Sequence, residues 1–186
     1  VGVANLFLED GVIVRQRGRM AQFNAIYRAE RKETWDAAIP LAVLLNEGSA
    51  SASEVLAGAL LDHRRAVLVG ERTWGKFLVQ LVEEVPTDAG MAIFKRTTSI
   101  YETPLGRSYQ RTLPDNVPDP LAGIPPDLFV PMTTEDREKL AQVFEDEYYA
   151  DWNPALAPTV VGFTDAQIEA ARALLAGEAV CPALAP

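Results

Sequence analysis

Histidine and cysteine are nearly absent from this chain of 186 residues, which has one of each. A single cysteine, Cys181, excludes an internal disulfide, and no CxxC or His/Cys pattern suggests a metal site. The sequence therefore predicts no metal and no other cofactor. With His63 as the only histidine, a serine nucleophile would have few imidazole partners to choose from.

Basic residues and long apolar runs are also scarce. The chain has 17 Lys and Arg against 26 Asp and Glu, for a net charge of −9, which argues against nucleic-acid binding. No run approaches the ~20 apolar residues of a membrane span. A hydrophobic fraction of 48% is typical of a chain that folds around a core.

The segment that stands out is rich in serine and lies between a predicted strand at residues 40–45 and a predicted helix at 52–63. Gly48 permits the tight turn between them, which places Ser51 where the helix begins. The N–H of Ala52 would then be one of the unpaired donors at that end and suits a developing oxyanion. This arrangement makes Ser51 a candidate nucleophile.

Other interpretations of this segment remain open. Ser51 and Glu54 form a Ser-x-x-Glu capping box, so Ser51 taken alone is explained as an ordinary helix cap. Ser49 and Ser53 compete for the nucleophile role. His63 does not suit the role of base, because twelve residues of helix would place it about 18 Å from Ser51.

Lys76 follows Ser51 by twenty-five residues, and an intervening strand at 66–70 returns the chain toward the serine. A free lysine has a pKa near 10.4, so a lysine that acts as a base must be neutralised, for which desolvation is one route. The strand alternation predicts Gln80 on the same side as Lys76, where it can accept a hydrogen bond from the amine. The alternative is an ordinary surface lysine. The large apolar neighbours expected to desolvate Lys76 are Trp74, Phe77 and Leu78.

Together these residues resemble the carboxy-terminal processing peptidases, or tail-specific proteases. Such proteins carry Ser-Ala-Ser-Ala-Ser-Glu, here at 49–54, an acidic residue, here Asp62, and Val-Gly-Glu-x-Thr-aromatic-Gly-Lys, here at 69–76. The similarity continues through the Thr-Pro-x-Gly-Arg-Ser turn at 103–108 and the Gly-Ile-x-Pro-Asp element at 123–127.

The resemblance implies a serine endopeptidase with a dyad of Ser51 as nucleophile and Lys76 as general base. It also implies that Gln80 orients the lysine and that Ala52 contributes to the oxyanion hole. Gly48, Gly75 and Asp62 are expected to support the site, Asp62 in a structural role.

This sequence departs from the family pattern at three positions near the lysine. The family usually has Pro at Arg72, Phe at Trp74 and Gly at Phe77. Phe77 is therefore expected to crowd or dry the site.

The family's Asp-Leu-Arg-x-Asn-x-Gly-Gly segment, one of whose glycine amides completes the oxyanion hole, and its PDZ domain are not found in these residues. We interpret the chain as a catalytic-core fragment of a longer protein with a PDZ domain. Losing one oxyanion donor costs about two to three orders of magnitude in turnover. The isolated fragment is therefore expected to be inactive, or to act only with another piece.

The expected fold is α/β, with a crotonase- or ClpP-like strand–helix superhelix implied by the resemblance. We expect a protease core at 1–131 and a helical C-terminal extension at 132–186. Its helices are predicted from Thr134 to about Tyr149, capped by Thr133 or Thr134, and at 164–176, capped by Thr164. The extension packs on the core or forms a contact within a homo-oligomer.

The resemblance further implies protein or peptide substrates with apolar C-termini and a periplasmic or otherwise exported enzyme. Two rival functions remain. One is a non-catalytic module that binds a hydrophobic ligand or a peptide on the same scaffold, as in the interphotoreceptor retinoid-binding protein modules. The other is a serine hydrolase acting on a small ester.

Overall fold

The computed structural model describes residues 1–30, 34–88, 90–111, 121–150 and 163–178. The sequence also predicts a loop at 116–120, where two prolines fall close together, and a linker at 151–158. Both segments and Cys181 lie outside these ranges. Four helices and seven strands are described in them, with a 3-10 turn at Ala21–Phe23. In chain order they are α1 (Gly2–Asn5), β1 (Val12–Gly18), β2 (Ala25–Arg28), β3 (Ala42–Leu45), α2 (Ala52–Asp62), β4 (Val67–Gly70), β5 (Leu78–Thr87), β6 (Gly90–Glu102), β7 (Leu128–Phe129), α3 (Thr134–Ala150) and α4 (Ala166–Leu175).

The larger sheet is antiparallel and has the strand order β2-β1-β6-β5. β5 and β6 form the hairpin that the turn sequence Thr-Asp-Ala-Gly at 87–90 predicts. Thr87 pairs with Gly90, and its hydroxyl donates to the Gly90 carbonyl at 2.7 Å. The segment at 18–36 is polar, which is typical of a loop or an edge strand, and it supplies the edge strand β2.

The smaller sheet is parallel and has the order β3-β4-β7. Because α2 connects β3 to β4, both strands end at the same edge of the sheet, with Leu45 opposite Gly70. The segments that follow them therefore leave the sheet side by side. The expectation of a buried strand at 40–45 is only partly correct, since Leu45 is buried but Leu44 is 40% exposed.

The core lies around α2, whose predicted extent is confirmed to within one residue. The helix buries Ala57, Ala59 and Leu60, and Glu54 near its first turn is also fully buried. The largest other side chains at the centre of the core are Phe77, Ile13, Leu68, Ile124 and Val69.

Two helices, α3 and α4, are described after residue 131. Thr133 caps α3 by accepting the Asp136 N–H at 3.1 Å, which confirms one of the two predicted caps. The predicted cap of the last helix is wrong by one residue: Asp165, not Thr164, accepts two N–H groups of α4. A carboxylate accepts these charge-assisted bonds better than a hydroxyl does.

α4 packs against β3 and β4. Gln167 is buried against the sheet and donates its side-chain amide to the Val130 carbonyl at 3.0 Å. The spacing of Ile168, Ala171, Leu174 and Leu175 predicts an apolar stripe on this helix. The stripe is only partly buried, because Ala171 is covered but Ile168 is 38% exposed. The architecture of the described residues is thus mixed α/β, and no helix within them is both long and apolar enough to cross a membrane.

Replacing the core residue Leu60 tests this packing. We expect Leu60→Ala to lower the free energy of unfolding by about 2–5 kcal/mol, because it leaves a cavity beneath α2. Chemical denaturation measures the change. The same substitution at Leu175, which is 43% exposed, is the control; equal losses at both positions would contradict the described core.

Candidate active site

Ser51 lies between a tight turn and the first residue of α2. The Asn46 side chain accepts the Gly48 N–H at 2.8 Å, and its carbonyl accepts the Ser49 N–H at 2.9 Å. This closes the turn after β3, as the sequence predicted. Ser51 itself has φ 58° and ψ −111°, whereas the residue before a helix usually has extended backbone angles. A serine held in so rarely populated a conformation is typical of functional sites.

The Glu54 carboxylate joins the two segments that the sequence singled out. One oxygen accepts the N–H groups of Ser51 at 2.9 Å and Lys76 at 2.8 Å. The other accepts the Thr73 hydroxyl and the Gly75 N–H, each at 2.6 Å. Glu54 is fully buried, so these four donors replace the water that its charge would otherwise require. The backbones of Ser51 and Lys76 are thereby fixed on one group.

Gly75 allows the lysine segment to approach this carboxylate. It has φ +91°, and a Cβ at this position would come within 2.8 Å of the Gly123 nitrogen and the Tyr109 carbonyl oxygen. A side chain therefore fits neither the backbone conformation nor the space. Trp74 closes the same segment onto the serine turn by donating its N–H to the Ser49 carbonyl at 2.9 Å.

Tyr101, on β6, contacts both candidate residues. Its hydroxyl donates to the Lys76 carbonyl and also contacts the Ser51 side chain. Burial and, to a smaller extent, the nearby Glu54 charge raise the pKa of Tyr101 well above its ordinary value. Tyr101 is thus a neutral hydrogen-bonding group over the whole range in which most proteins are active.

An apolar pocket of about 230 Å³ opens beside Ser51. Ala52, the first residue of α2, and Tyr101 both line it, so the pocket lies next to the serine on the side of the helix N-terminus. Its volume suits one or two aliphatic side chains. The lining residues are Val1, Val14, Gln16, Tyr27, Ala52, Val55, Val79 and Tyr101.

The environment expected for Lys76 differs from the one observed. The side chains of Lys76 and Gln80 are exposed, and within the described ranges neither side chain forms a hydrogen bond. Phe77 does not dry the lysine as expected. It turns into the core, fully buried, with its ring centroid 4.8 Å from that of Tyr101. Buried and exposed residues alternate from Glu71 to Phe77, so the residue after the outward-facing Lys76 faces inward, as in an extended chain.

Asp62 is distant from this chemistry along the helix. Its buried carboxylate pairs with Arg107 and accepts the Leu105 N–H at 2.7 Å. It therefore anchors the turn after β6 to the end of α2. His63 follows Asp62 at the end of α2, and one of its ring nitrogens lies 2.8 Å from the Val12 carbonyl oxygen.

The arrangement brings the backbones of a serine in a rare conformation and of a lysine to one carboxylate at a helix N-terminus. A hydroxyl, an amine and N–H donors are the parts needed for acyl transfer. Within the described ranges, no group of three His, Cys, Asp or Glu residues could hold a metal ion. Sequence reasoning treated Glu54 only as a capping residue and did not single out Tyr101. The capping-box position of Glu54 indicated its contact with the Ser51 N–H. Its contact with the Lys76 N–H could not be predicted from local sequence.

Glu54→Gln tests the role of the carboxylate. The amide can accept at only one end, so at least one donor loses its acceptor in a buried position. We expect the free energy of unfolding to fall by about 3 kcal/mol. The control is Glu169→Gln on α4, an exposed residue paired with Arg172, for which we expect a loss below about 1 kcal/mol. Denaturant titration of both variants would contradict this role if Glu54→Gln behaved like the control.

Tyr101→Phe tests the raised pKa. The folded protein favours the neutral phenol. The stability that this preference contributes is complete below about pH 10, the ordinary pKa of tyrosine in the unfolded chain, and is lost as pH rises above that value. We therefore expect the free energy of unfolding to fall more steeply above about pH 10 in the wild type than in Tyr101→Phe. Denaturation curves at a series of pH values measure the two slopes. Tyr27→Phe, at a residue 43% exposed, should keep the wild-type slope; a wild-type slope in Tyr101→Phe would refute the assignment.

Comparison with known proteins shows which family the chain belongs to. Residues 1–130 match the family model described as Peptidase family S41. A carboxyl-terminal-processing protease of Picosynechococcus sp. is 44% identical over 119 residues, which are 63% of this chain and 27% of that protein. The carboxy-terminal-processing protease of Bartonella bacilliformis is 37% identical over 139 residues, covering 75% of this chain and 29% of the relative.

Solved structures give the same result. The photosystem II D1 C-terminal processing protease is 37% identical, with a TM-score of 0.55 over 69% of this chain and 30% of that structure. A putative S41 protease from Bacteroides fragilis has a TM-score of 0.58 over 96% of this chain and 41% of its own, but at 14% identity this supports the fold alone. The chain spans under a third of the length of the curated relatives described above. With its first 130 residues matching the family model, the chain belongs to peptidase family S41.

Proposed function

We propose that this chain carries the catalytic core of a serine endopeptidase in which Ser51 and Lys76 form the dyad. The observation that carries the proposal is the buried Glu54 carboxylate, which binds the backbone N–H groups of both residues. A nucleophile and a base that come from separate segments must be held together to react efficiently. One shared carboxylate supplies that constraint.

The proposed mechanism uses only side chains and backbone of this chain. The Ser51 oxygen attacks the scissile carbonyl carbon, and the neutral Lys76 amine takes the hydroxyl proton. The Ala52 N–H stabilises the oxyanion. Lys76 then gives its proton to the leaving amine as the C–N bond breaks, and water, activated by the same amine, hydrolyses the acyl-enzyme.

Because Lys76 is exposed, the proposed mechanism requires the bound substrate to desolvate its amine. A peptide laid across the edge of the smaller sheet covers the lysine and removes water from it, which favours the neutral amine. Gln80 is then the proposed partner that orients the amine, in place of the solvent. No resident cofactor takes part in this scheme.

The proposed substrates are proteins with apolar C-terminal tails. The pocket beside Ser51 supports this choice, since most of its lining is aliphatic or aromatic and a charged tail residue would lose its hydration there. A PDZ domain elsewhere in the natural protein, a periplasmic or otherwise exported location and a crotonase- or ClpP-like core belong to the same proposal.

A second candidate is a non-catalytic module that holds a hydrophobic ligand. The apolar pocket of about 230 Å³ is the observation that favours it. The strained backbone of Ser51 favours the peptidase instead, because a binding module has no need of a nucleophile in a rare conformation.

The test follows cleavage of an unstructured protein that ends in small apolar residues, using the longest natural chain that contains these residues. We expect Ser51→Ala and Lys76→Ala each to lower kcat by about 100-fold or more, because each removes a reacting group. The control is Lys139→Ala, at an exposed lysine paired with Glu135 on α3, which should retain wild-type turnover.

Two results would contradict the peptidase. One is equal turnover in the wild type and Lys76→Ala. The other is no turnover in any folded protein together with a hydrophobic compound that co-purifies with the wild type, which would establish the binding module. Comparing amide and ester substrates of the same acyl group separates a peptidase from a small-ester hydrolase.

A further inference from the structure

Arg137 on α3 contacts two carboxylates at the edge of the smaller sheet. One guanidinium nitrogen lies 2.7 Å from a Glu71 oxygen, and the other lies 3.4 Å from a Glu47 oxygen. These acids belong to different segments. Glu47 is in the turn that leads from β3 to Ser51, and Glu71 opens the segment that leads from β4 to Lys76. A residue of the C-terminal helices thus bridges the two turns of the proposed site.

Glu71 depends on Arg137 more than Glu47 does, because its carboxylate is much less exposed. Its side chain is 11% exposed. The oxygen that binds Arg137 also accepts the Met132 N–H at 3.1 Å, while the second oxygen is buried and has no hydrogen-bond partner among the residues that the structure describes. Within the described ranges, Arg137 supplies the only cation paired with this carboxylate. A buried carboxylate that loses its cation must gain water or move.

A displacement of Glu71 would shift both the serine turn and the lysine turn, because backbone and hydrogen bonds connect it to each. The Glu71 N–H donates to the Leu45 carbonyl at 2.8 Å, at the end of β3. Two residues further along, the Thr73 hydroxyl donates to the Glu54 carboxylate, which also holds Ser51 and Lys76. The Glu71 position is therefore tied to the hydrogen bonds that set the distance between the two candidate reacting groups.

We propose that Arg137 is a positioning residue of the active site, which neutralises Glu71 and so holds the serine turn and the lysine turn in register. This inference rests on the proposed function, since it names what α3 contributes to that same site. The contact with Glu47 is secondary, because Glu47 is 69% exposed and exposed ion pairs contribute little. Arg137 acts through Glu71 and does not touch substrate.

The test is a double-mutant cycle in the longest natural chain that contains these residues. We expect Arg137→Gln to lower kcat about tenfold while KM changes less than about twofold, because misplaced reacting groups slow the chemical step more than binding. Glu71→Gln should cost less, as it leaves no buried charge. The double variant Glu71→Gln/Arg137→Gln should recover to within about threefold of the wild type, since the charge that Arg137 neutralises is gone.

A second readout does not depend on activity. We expect Arg137→Gln to speed amide hydrogen exchange at residues 46–51 and 71–76 while leaving β5 and β6 unchanged, and the double variant to restore slow exchange. The control is Arg172→Gln, at an exposed arginine of α4 that pairs with Glu169, which should change neither kcat nor exchange in the two turns.

The outcomes separate this inference from the proposed function. If the wild type cleaves no tail but Arg137→Gln still loosens both turns and the double variant restores them, the peptidase fails and the positioning role stands. Wild-type kcat and exchange in Arg137→Gln would overturn the positioning role and leave the peptidase intact. A double variant no better than Arg137→Gln would also overturn it, because the effect would not pass through Glu71.

Discussion

The Glu54 carboxylate accepts hydrogen bonds from Ser51, Thr73, Gly75 and Lys76, and the rest of the site depends on that group. It is fully buried, so its charge is stable only while these donors surround it. The constraint acts in both directions. The four donors compensate the buried carboxylate, and the carboxylate in turn fixes the backbones of the serine and lysine segments. Ser51 can retain its unusual φ because its own N–H is part of this network.

The parallel sheet makes that network possible. β3 and β4 end together, with Leu45 opposite Gly70, so the segments carrying the serine and the lysine leave the sheet at one edge. Gly75 then permits the close approach of the lysine segment. Tyr101 from the larger sheet completes the enclosure, since it reaches both segments and lines the apolar pocket. Each sheet thus supplies one side of the proposed site.

The C-terminal helices are part of this arrangement. α4 covers β3 and β4 through buried Gln167, and α3 brings Arg137 to the carboxylates that flank the two turns. The family model ends at residue 130, so both helices lie beyond the part of the chain that defines the family. The candidate site residues lie within the part of the chain that matches the family model, whereas Arg137 and Gln167, which contact the sheet edge, come from beyond it.

The sequence by itself determined the features that depend on neighbouring residues. The extent of α2, the hairpin turn at 87–90 and the cap at Thr133 follow from local patterns, and the serine and lysine motifs indicated the family. The tertiary structure alone decided that Phe77 packs against Tyr101 in the core and that Lys76 stays exposed. It also decided that Glu54 meets Lys76 and Arg137 meets Glu71. The physical reason is distance along the chain: those contacts join residues 22 and 66 positions apart, and only the packing of the sheets and helices brings them within reach.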